Sequence, residues 1–71
     1  MPKLKAITSK KLIKILEEKG FLLDRKSGSH FIFYNSENKR RVTVPFHTKD
    51  LPKGTLISIL KQAGIDYNEL R

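Results

Sequence analysis

The sequence contains no cysteine and no long apolar run. Without cysteine the chain can form neither disulfide bonds nor thiolate zinc sites, which fits a reducing compartment. No apolar stretch approaches the roughly 20 residues of a membrane-spanning helix. The segment Met1–Lys5 also lacks the apolar core of a signal peptide. We therefore expect a protein of the cytoplasm that does not enter a membrane.

Acidic residues are scarce as well, with seven Asp and Glu against fifteen Lys and Arg and a net charge of +8. A charge of this sign attracts nucleic acid, an anionic membrane or an acidic protein. The length of 71 residues predicts one domain over residues 1–71, with space for one sheet and one helical layer. We expect any active site to be a shallow surface feature that suits a large substrate.

Two stretches of the chain have the apolar periodicity of helices. Thr8 and Ser9 are candidate N-caps for a helix over Lys10–Lys19, and Gly20 is the residue expected to end it. The second predicted helix is Pro52–Ala63, where apolar residues recur at i, i+3, i+4 and i+7.

Three stretches between these helices are predicted strands. The first is Phe21–Lys26, which a tight turn at Ser27-Gly28 joins to the second, Ser29–Tyr34. The third is Arg40–Val44, and Pro45 is expected to end it because proline cannot donate to a strand ladder.

Alternation along the strands divides their residues into two faces. The set expected to face the helices is Phe31, Phe33, Val42 and Val44. The set expected on the open face is His30, Ile32, Tyr34, Arg41 and Thr43. Two phenylalanines exposed together would favour aggregation, so the phenylalanine face is the covered one. The order helix, three strands, helix, with a short terminal turn that Asp66 caps, predicts an α+β two-layer sandwich.

Short strings spread along the chain resemble one protein family. They are Gly20-Phe21, Gly28-Ser29-His30, Val44-Pro45-Phe46-His47, Lys53-Gly54-Thr55-Leu56 and Ile59–Gly64. In this order and spacing, the chain is similar to the HicA toxins, the small mRNA interferases of bacterial and archaeal toxin–antitoxin modules. The resemblance implies a fold like that of double-stranded-RNA-binding domains and an RNA substrate. It also implies that His30 is catalytic and that a HicB antitoxin binds the toxin and masks this residue.

In such a ribonuclease, His30 would act as the general acid or base. A metal-independent enzyme must activate the 2′-hydroxyl, stabilise charge on the phosphorane and protonate the leaving 5′-oxygen. A histidine can take or give a proton at cellular pH, and basic side chains can hold phosphate oxygens. Arg25, Lys26 and Arg41 are the candidate phosphate-binding residues. The expected product is a 2′,3′-cyclic phosphate.

The second histidine, His47, has two interpretations. It either supplies a second acid–base group or forms a structural hydrogen bond in the loop after Pro45. A metal site built from His30 and His47 would need a third ligand, and the sequence offers no candidate. We therefore predict neither a metal nor a cofactor.

Other residues of these strings are candidates for contact with RNA. Gly28 is expected to have a positive φ and to let RNA approach, while Ser29 caps a backbone group or contacts phosphate. Tyr34 can stack on a base, pack against the antitoxin or contact the core. The segment Lys53–Thr55 resembles a phosphate-binding helix start, with free amides and the Lys53 side chain nearby. Gly54 or Thr55 can instead be the N-cap of the second helix, and both roles can hold together because the same backbone groups serve them.

Two further functions fit the same fold and charge. One is a non-catalytic RNA-binding module, and the other is a small basic protein that docks an acidic partner. RNA cleavage separates the ribonuclease from both, and RNA binding that weakens steeply with salt separates the first alternative from the second.

Overall fold

The computed structural model describes residues 7–46 and 50–70. Within these residues the elements are α1 (Ser9–Glu18), β1 (Leu22–Ser27), β2 (His30–Asn35), β3 (Arg40–Pro45), α2 (Lys53–Ala63) and a 3-10 helix (Tyr67–Leu70). The strands form an antiparallel sheet in the order β1-β2-β3. This arrangement confirms the predicted α+β class and its order of elements.

The ends of α1 follow from capping. The Thr8 side chain accepts a 3.2 Å hydrogen bond from the Lys11 amide, which makes Thr8 the N-cap. At the other end, Gly20 has a φ of 95°, and the amides of Gly20 and Phe21 donate back to carbonyls of the last turn. This is a Schellman motif, in which a left-handed residue satisfies free carbonyls. Phe21 therefore completes the helix end and is buried, and the prediction that it begins a strand is wrong.

The start of α2 differs from the prediction. Pro52 occupies the N-cap position with a ψ of 146°, and no side chain forms a capping hydrogen bond there. Gly54 and Thr55 lie inside the helix, so the prediction that one of them is the N-cap is wrong. After α2, the Asp66 carboxylate accepts a 2.8 Å bond from the Asn68 amide, which confirms Asp66 as the cap of the terminal turn.

The core lies between the helices and one face of the sheet. Phe33, Val42 and Val44 are buried on the sheet side, at 1%, 0% and 0% exposure, and Phe31 packs against the core while partly buried. The helices contribute the buried residues Leu12, Leu16, Leu56, Ile59, Leu60 and Ala63. The predicted division of faces is therefore confirmed. Burial of each large apolar side chain contributes about 1.5–3 kcal/mol.

The strand β1 forms an edge of the sheet and is exposed along its whole length. Its register with β2 shifts between Leu23 and Arg25, which leaves Asp24 in a β-bulge. If the register at the turn continued without a break, the ladder would pair Asp24 with Phe33, on the apolar face. The bulge removes the carboxylate from that position, since one extra residue reverses the alternation beyond it.

The ends of β2 and β3 lie one residue beyond the predicted ends. Asn35 ends β2 and is buried; its Nδ2 donates a 3.1 Å bond to the Lys19 carbonyl, and its Oδ1 accepts a 2.9 Å bond from the Glu37 amide. Pro45 is the last residue of β3 and pairs with His30. Proline is tolerated at such an edge position because the missing amide is not needed by a neighbouring strand.

Candidate functional site

The sheet face opposite the helices, here called the outer face, carries the candidate site. Residues paired across an antiparallel ladder point to the same side of the sheet. The register therefore places three rows on this face: Ser27, His30 and Pro45; Arg25, Ile32 and Thr43; Leu22, Tyr34 and Arg41. These rows run from one end of β2 to the other, with His30 in the first.

His30 is exposed and is the first residue of β2. The loop before it consists of Gly28 and Ser29, not Ser27 and Gly28 as predicted, because Ser27 pairs with His30. Gly28 has a φ of 60°, which confirms the predicted left-handed conformation. A positive φ at the first residue of a two-residue loop is a feature of type I′ and type II′ hairpin turns, which favour glycine there. The hairpin thus presents His30 directly beside a tight turn.

Two hydrogen bonds hold the end of β3, one to this turn and one to α1. The Phe46 amide donates to the Ser29 carbonyl at 2.7 Å. The Ser9 Oγ donates to the Pro45 carbonyl at 2.7 Å, and Ser9 is 0% exposed at the start of α1. A buried hydroxyl is strongly favoured to keep its partner. The row that contains His30 is therefore anchored from both the helical layer and the chain after β3.

The two basic residues before the turn lie on opposite faces. Arg25 pairs with Ile32 and occupies the middle row of the outer face, next to the row of His30. Lys26 pairs with Phe31, and its Nζ lies 4.9 Å from the centroid of that ring. The Phe31 ring also stacks on the Phe46 ring, with centroids 4.9 Å apart and an interplanar angle of 13°. Arg25 is therefore the basic residue of the pair that shares a face with His30.

Arg41 and Tyr34 lie in the third row. Tyr34 follows His30 by four residues on β2, and Arg41 is its partner on β3. The Arg41 guanidinium is 4.9 Å from the centroid of the Tyr34 ring, and its Nη1 donates a 2.6 Å bond to Asp24 Oδ2. Both charged groups are about half exposed, so the ion pair adds little stability. Its effect is to fix the orientation of Arg41 over the tyrosine.

Two predicted site residues, Lys53 and His47, belong to none of the three described strands. Lys53 is the exposed first residue of α2 and belongs to the helical layer. His47 lies outside the described residues. Among residues 7–46 and 50–70, no three His, Cys, Asp or Glu side chains come together as metal ligands. No helix in this part of the chain has the length and apolar character needed to cross a membrane.

Three residues that position the site were not identified from the sequence. The sequence indicates Ser9 as a helix cap and Phe46 as part of a loop and of the string Val44-Pro45-Phe46-His47, and it assigns no role to Asp24. Each depends on a contact between distant parts of the chain, such as the separation of 36 residues between Ser9 and Pro45. For Ser9 the sequence did contain one signal. It is a polar residue on the same helix face as Leu12 and Leu16, which are apolar and buried.

Comparison with known proteins adds one finding to this geometry. A family model described as HicA toxin of bacterial toxin–antitoxin matches residues 9–65 of the chain. The matched segment starts at the first residue of α1 and ends after α2, so it includes all three rows of the outer face. No curated protein matches the sequence.

Proposed function

Because the chain belongs to the HicA toxin family of bacterial toxin–antitoxin modules, we propose that it is an endoribonuclease that cleaves single-stranded mRNA through His30. The observation that carries the proposal is the position of this histidine. It is exposed at the start of β2, on a sheet face that the helices leave open, and it follows a tight turn. A phosphodiester of a long substrate can reach such a position without entering a cavity.

The proposed reaction uses the RNA's own 2′-hydroxyl as the nucleophile. The 2′-oxygen attacks the adjacent phosphorus, the bond from phosphorus to the 5′-oxygen breaks, and a 2′,3′-cyclic phosphate and a 5′-hydroxyl are formed. One proton leaves the 2′-hydroxyl and one is added to the 5′-oxygen. His30 performs one of these transfers as general base or general acid. His47 is the candidate for the other.

The basic residues are proposed to hold the RNA along the outer face. Arg25, in the row next to His30, is placed to bind a phosphate oxygen close to the reacting bond, where a fixed positive charge stabilises the phosphorane. Tyr34 and Arg41 contact the strand further along β2. Gly28 and Ser29 border His30 at the turn and contact the sugar–phosphate backbone of the RNA.

Lys26 and Lys53 have a different proposed role. Neither belongs to the outer face, but both are exposed and contribute to the net charge of +8. A positive field over the whole surface raises the rate at which RNA reaches the site. We assign these two lysines to attraction of the strand and to contact with its more distant phosphates.

The proposed partner is a HicB-like antitoxin that covers the outer face and masks His30. Leu22, in the third row, is 72% exposed, and Leu23 beside it is 44% exposed. Exposed leucines on an edge strand are suited to burial by another protein. With an mRNA substrate and an antitoxin partner, we propose that the protein acts in the cytoplasm.

Purified protein tests the proposal directly. We expect cleavage of single-stranded RNA in the presence of EDTA, with cyclic phosphate at the new 3′ ends. Expression in cells should stop growth, and His30→Ala should restore it. Thr43→Ala is the matched control, because Thr43 is exposed on the same face in the row next to His30.

Two outcomes would replace the proposal. If the wild-type protein binds RNA and never cuts it, the chain is a non-catalytic RNA-binding module. A plot of the logarithm of the RNA-binding constant against the logarithm of the salt concentration should then have a slope of about −0.7 per phosphate neutralised. If it neither binds nor cuts RNA, its positive surface serves to dock an acidic partner.

A further inference from the structure

A cavity lies beside the β-bulge, at the end of the outer face away from His30. Its volume is about 130 Å³, and it is lined by Leu22, Leu23, Asp24, Tyr34 and Ser36. An apolar cavity of about 150 Å³ is large enough to hold a benzene ring. The cavity is open to solvent on one side, so it has room for about one six-membered ring while the rest of a nucleotide lies outside it.

Asp24 is the charged group of this cavity. Its Oδ2 accepts the bond from Arg41, and among the described residues Asp24 has no other polar partner. The second carboxylate oxygen is thus available as an acceptor for a ligand. Arg41 also lies over the Tyr34 ring, so the carboxylate stands beside this ring and beside the leucines that line the cavity. Bulges commonly re-aim a side chain near a functional site.

We propose that this cavity binds one base of the RNA strand and selects cytosine. The inference rests on the proposed function, because the strand must lie along the outer face. A carboxylate accepts a hydrogen bond from the exocyclic amine of cytosine. Uracil has an oxygen at the same position, so that two acceptors would face each other. A depression of about 130 Å³ has room for one ring, so the second ring of a purine would lie outside it.

One continuous RNA strand can reach both His30 and the cavity. Tyr34 follows His30 by four residues, which is about 13 Å along a strand that rises 3.3 Å per residue. Arg25 lies in the row between them and can hold the intervening backbone. Since neighbouring nucleotides of a stacked strand are about 3.4 Å apart, the selected cytosine lies within about four nucleotides of the cleaved bond.

Cleavage of oligouridine strands that contain a single cytidine tests this selection. We expect the wild-type protein to cut at a constant offset from the cytidine, within about four nucleotides of it. The His30→Ala variant should bind this strand about tenfold more tightly than plain oligouridine, as expected for one hydrogen bond to a charged acceptor. That comparison measures base selection without requiring cleavage.

Asp24→Asn provides the decisive variant. An amide both donates and accepts hydrogen bonds, so it can pair with either pyrimidine. We expect Asp24→Asn to bind the two strands about equally and to cut without a fixed offset. The matched control is Glu37→Gln, which removes the same charge from the exposed turn between β2 and β3. It should keep the tenfold difference and the offset of the wild type.

The outcomes separate this inference from the proposed function. Cleavage at positions unrelated to the cytidine, or preference for any other base, overturns the selection of cytosine and leaves the ribonuclease intact. Failure to cleave, with the tenfold preference retained, overturns the ribonuclease and leaves the cavity assignment intact. If Asp24→Asn weakens antitoxin binding and leaves base selection unchanged, the cavity is a protein contact and the inference is wrong.

Discussion

Replacement of Ser9 by alanine should destabilise the protein strongly, although it removes only one oxygen atom. The Ser9 hydroxyl is buried and donates a 2.7 Å bond to the Pro45 carbonyl. Ser9→Ala leaves that carbonyl without this donor, and loss of a partner by a buried polar group costs about 1–3 kcal/mol. In a domain of this size, each kcal/mol lowers Tm by about 4–8 °C.

Urea unfolding followed by circular dichroism measures this effect. The matched control is Ser58→Ala, because Ser58 is an exposed serine of α2 whose Oγ accepts a 3.3 Å bond from the Gln62 side chain. We expect the control to lie within about 0.5 kcal/mol of the wild type. If Ser9→Ala is as stable as Ser58→Ala, the bond does not anchor the end of β3, and our account of how the row of His30 is held is wrong.

Two further changes test the hairpin and the core. Gly28→Ala should lower the free energy of unfolding by about 1–2 kcal/mol, because an alanine at a φ of 60° is strained. The loss comes from the backbone alone, since a Cβ at this position would meet no atom within 4 Å. Gly28→Asn should lose less in the same unfolding assay, because asparagine tolerates a positive φ. Leu12→Ala, at a site with 0% exposure, should cost about 2–5 kcal/mol, whereas Leu22→Ala, at 72% exposure, should change the free energy of unfolding by less than about 0.5 kcal/mol. Equal losses for the two leucines, or no difference between the two Gly28 variants, would contradict these assignments.

The covered side of the sheet could be predicted from the sequence because alternation is a local property. Phe31 and Phe33 have the same parity, as do Val42 and Val44, so one choice of face settled all four. The end of α1 was also predictable, since Gly20 is the kind of residue that ends a helix. The structure places these residues as predicted.

The details of β1 could not be predicted in the same way. The sequence does not show that the loop is Gly28–Ser29, and this choice sets the register that pairs Arg25 with Ile32. Nor does it show the bulge at Asp24, which is favoured because an unbroken ladder would place a carboxylate opposite Phe33. Both features depend on which residues meet across strands. The same holds for the bond from Ser9, whose partner lies 36 residues away.

The candidate site was predicted only in part by local patterns. Alternation placed His30, Tyr34 and Arg41 on one face, and the structure agrees. It did not indicate that Arg41 lies about 13 Å along the sheet from His30 or that Asp24 binds it. The catalytic role of His30 stays a prediction, since exposure and position alone do not distinguish a catalyst from a surface histidine.

The most direct test of the catalytic role of His30 is the single-turnover rate of RNA cleavage. The rate is compared for the wild-type protein, His30→Ala and Thr43→Ala, and the affinity of each protein for the same RNA is measured beside it. General acid–base catalysis contributes about 10²–10⁴-fold to a rate. We predict that His30→Ala slows cleavage by at least about 10²-fold while its affinity for RNA and its stability match those of Thr43→Ala. Cleavage by His30→Ala at the wild-type rate would contradict the central claim that this histidine performs the chemistry.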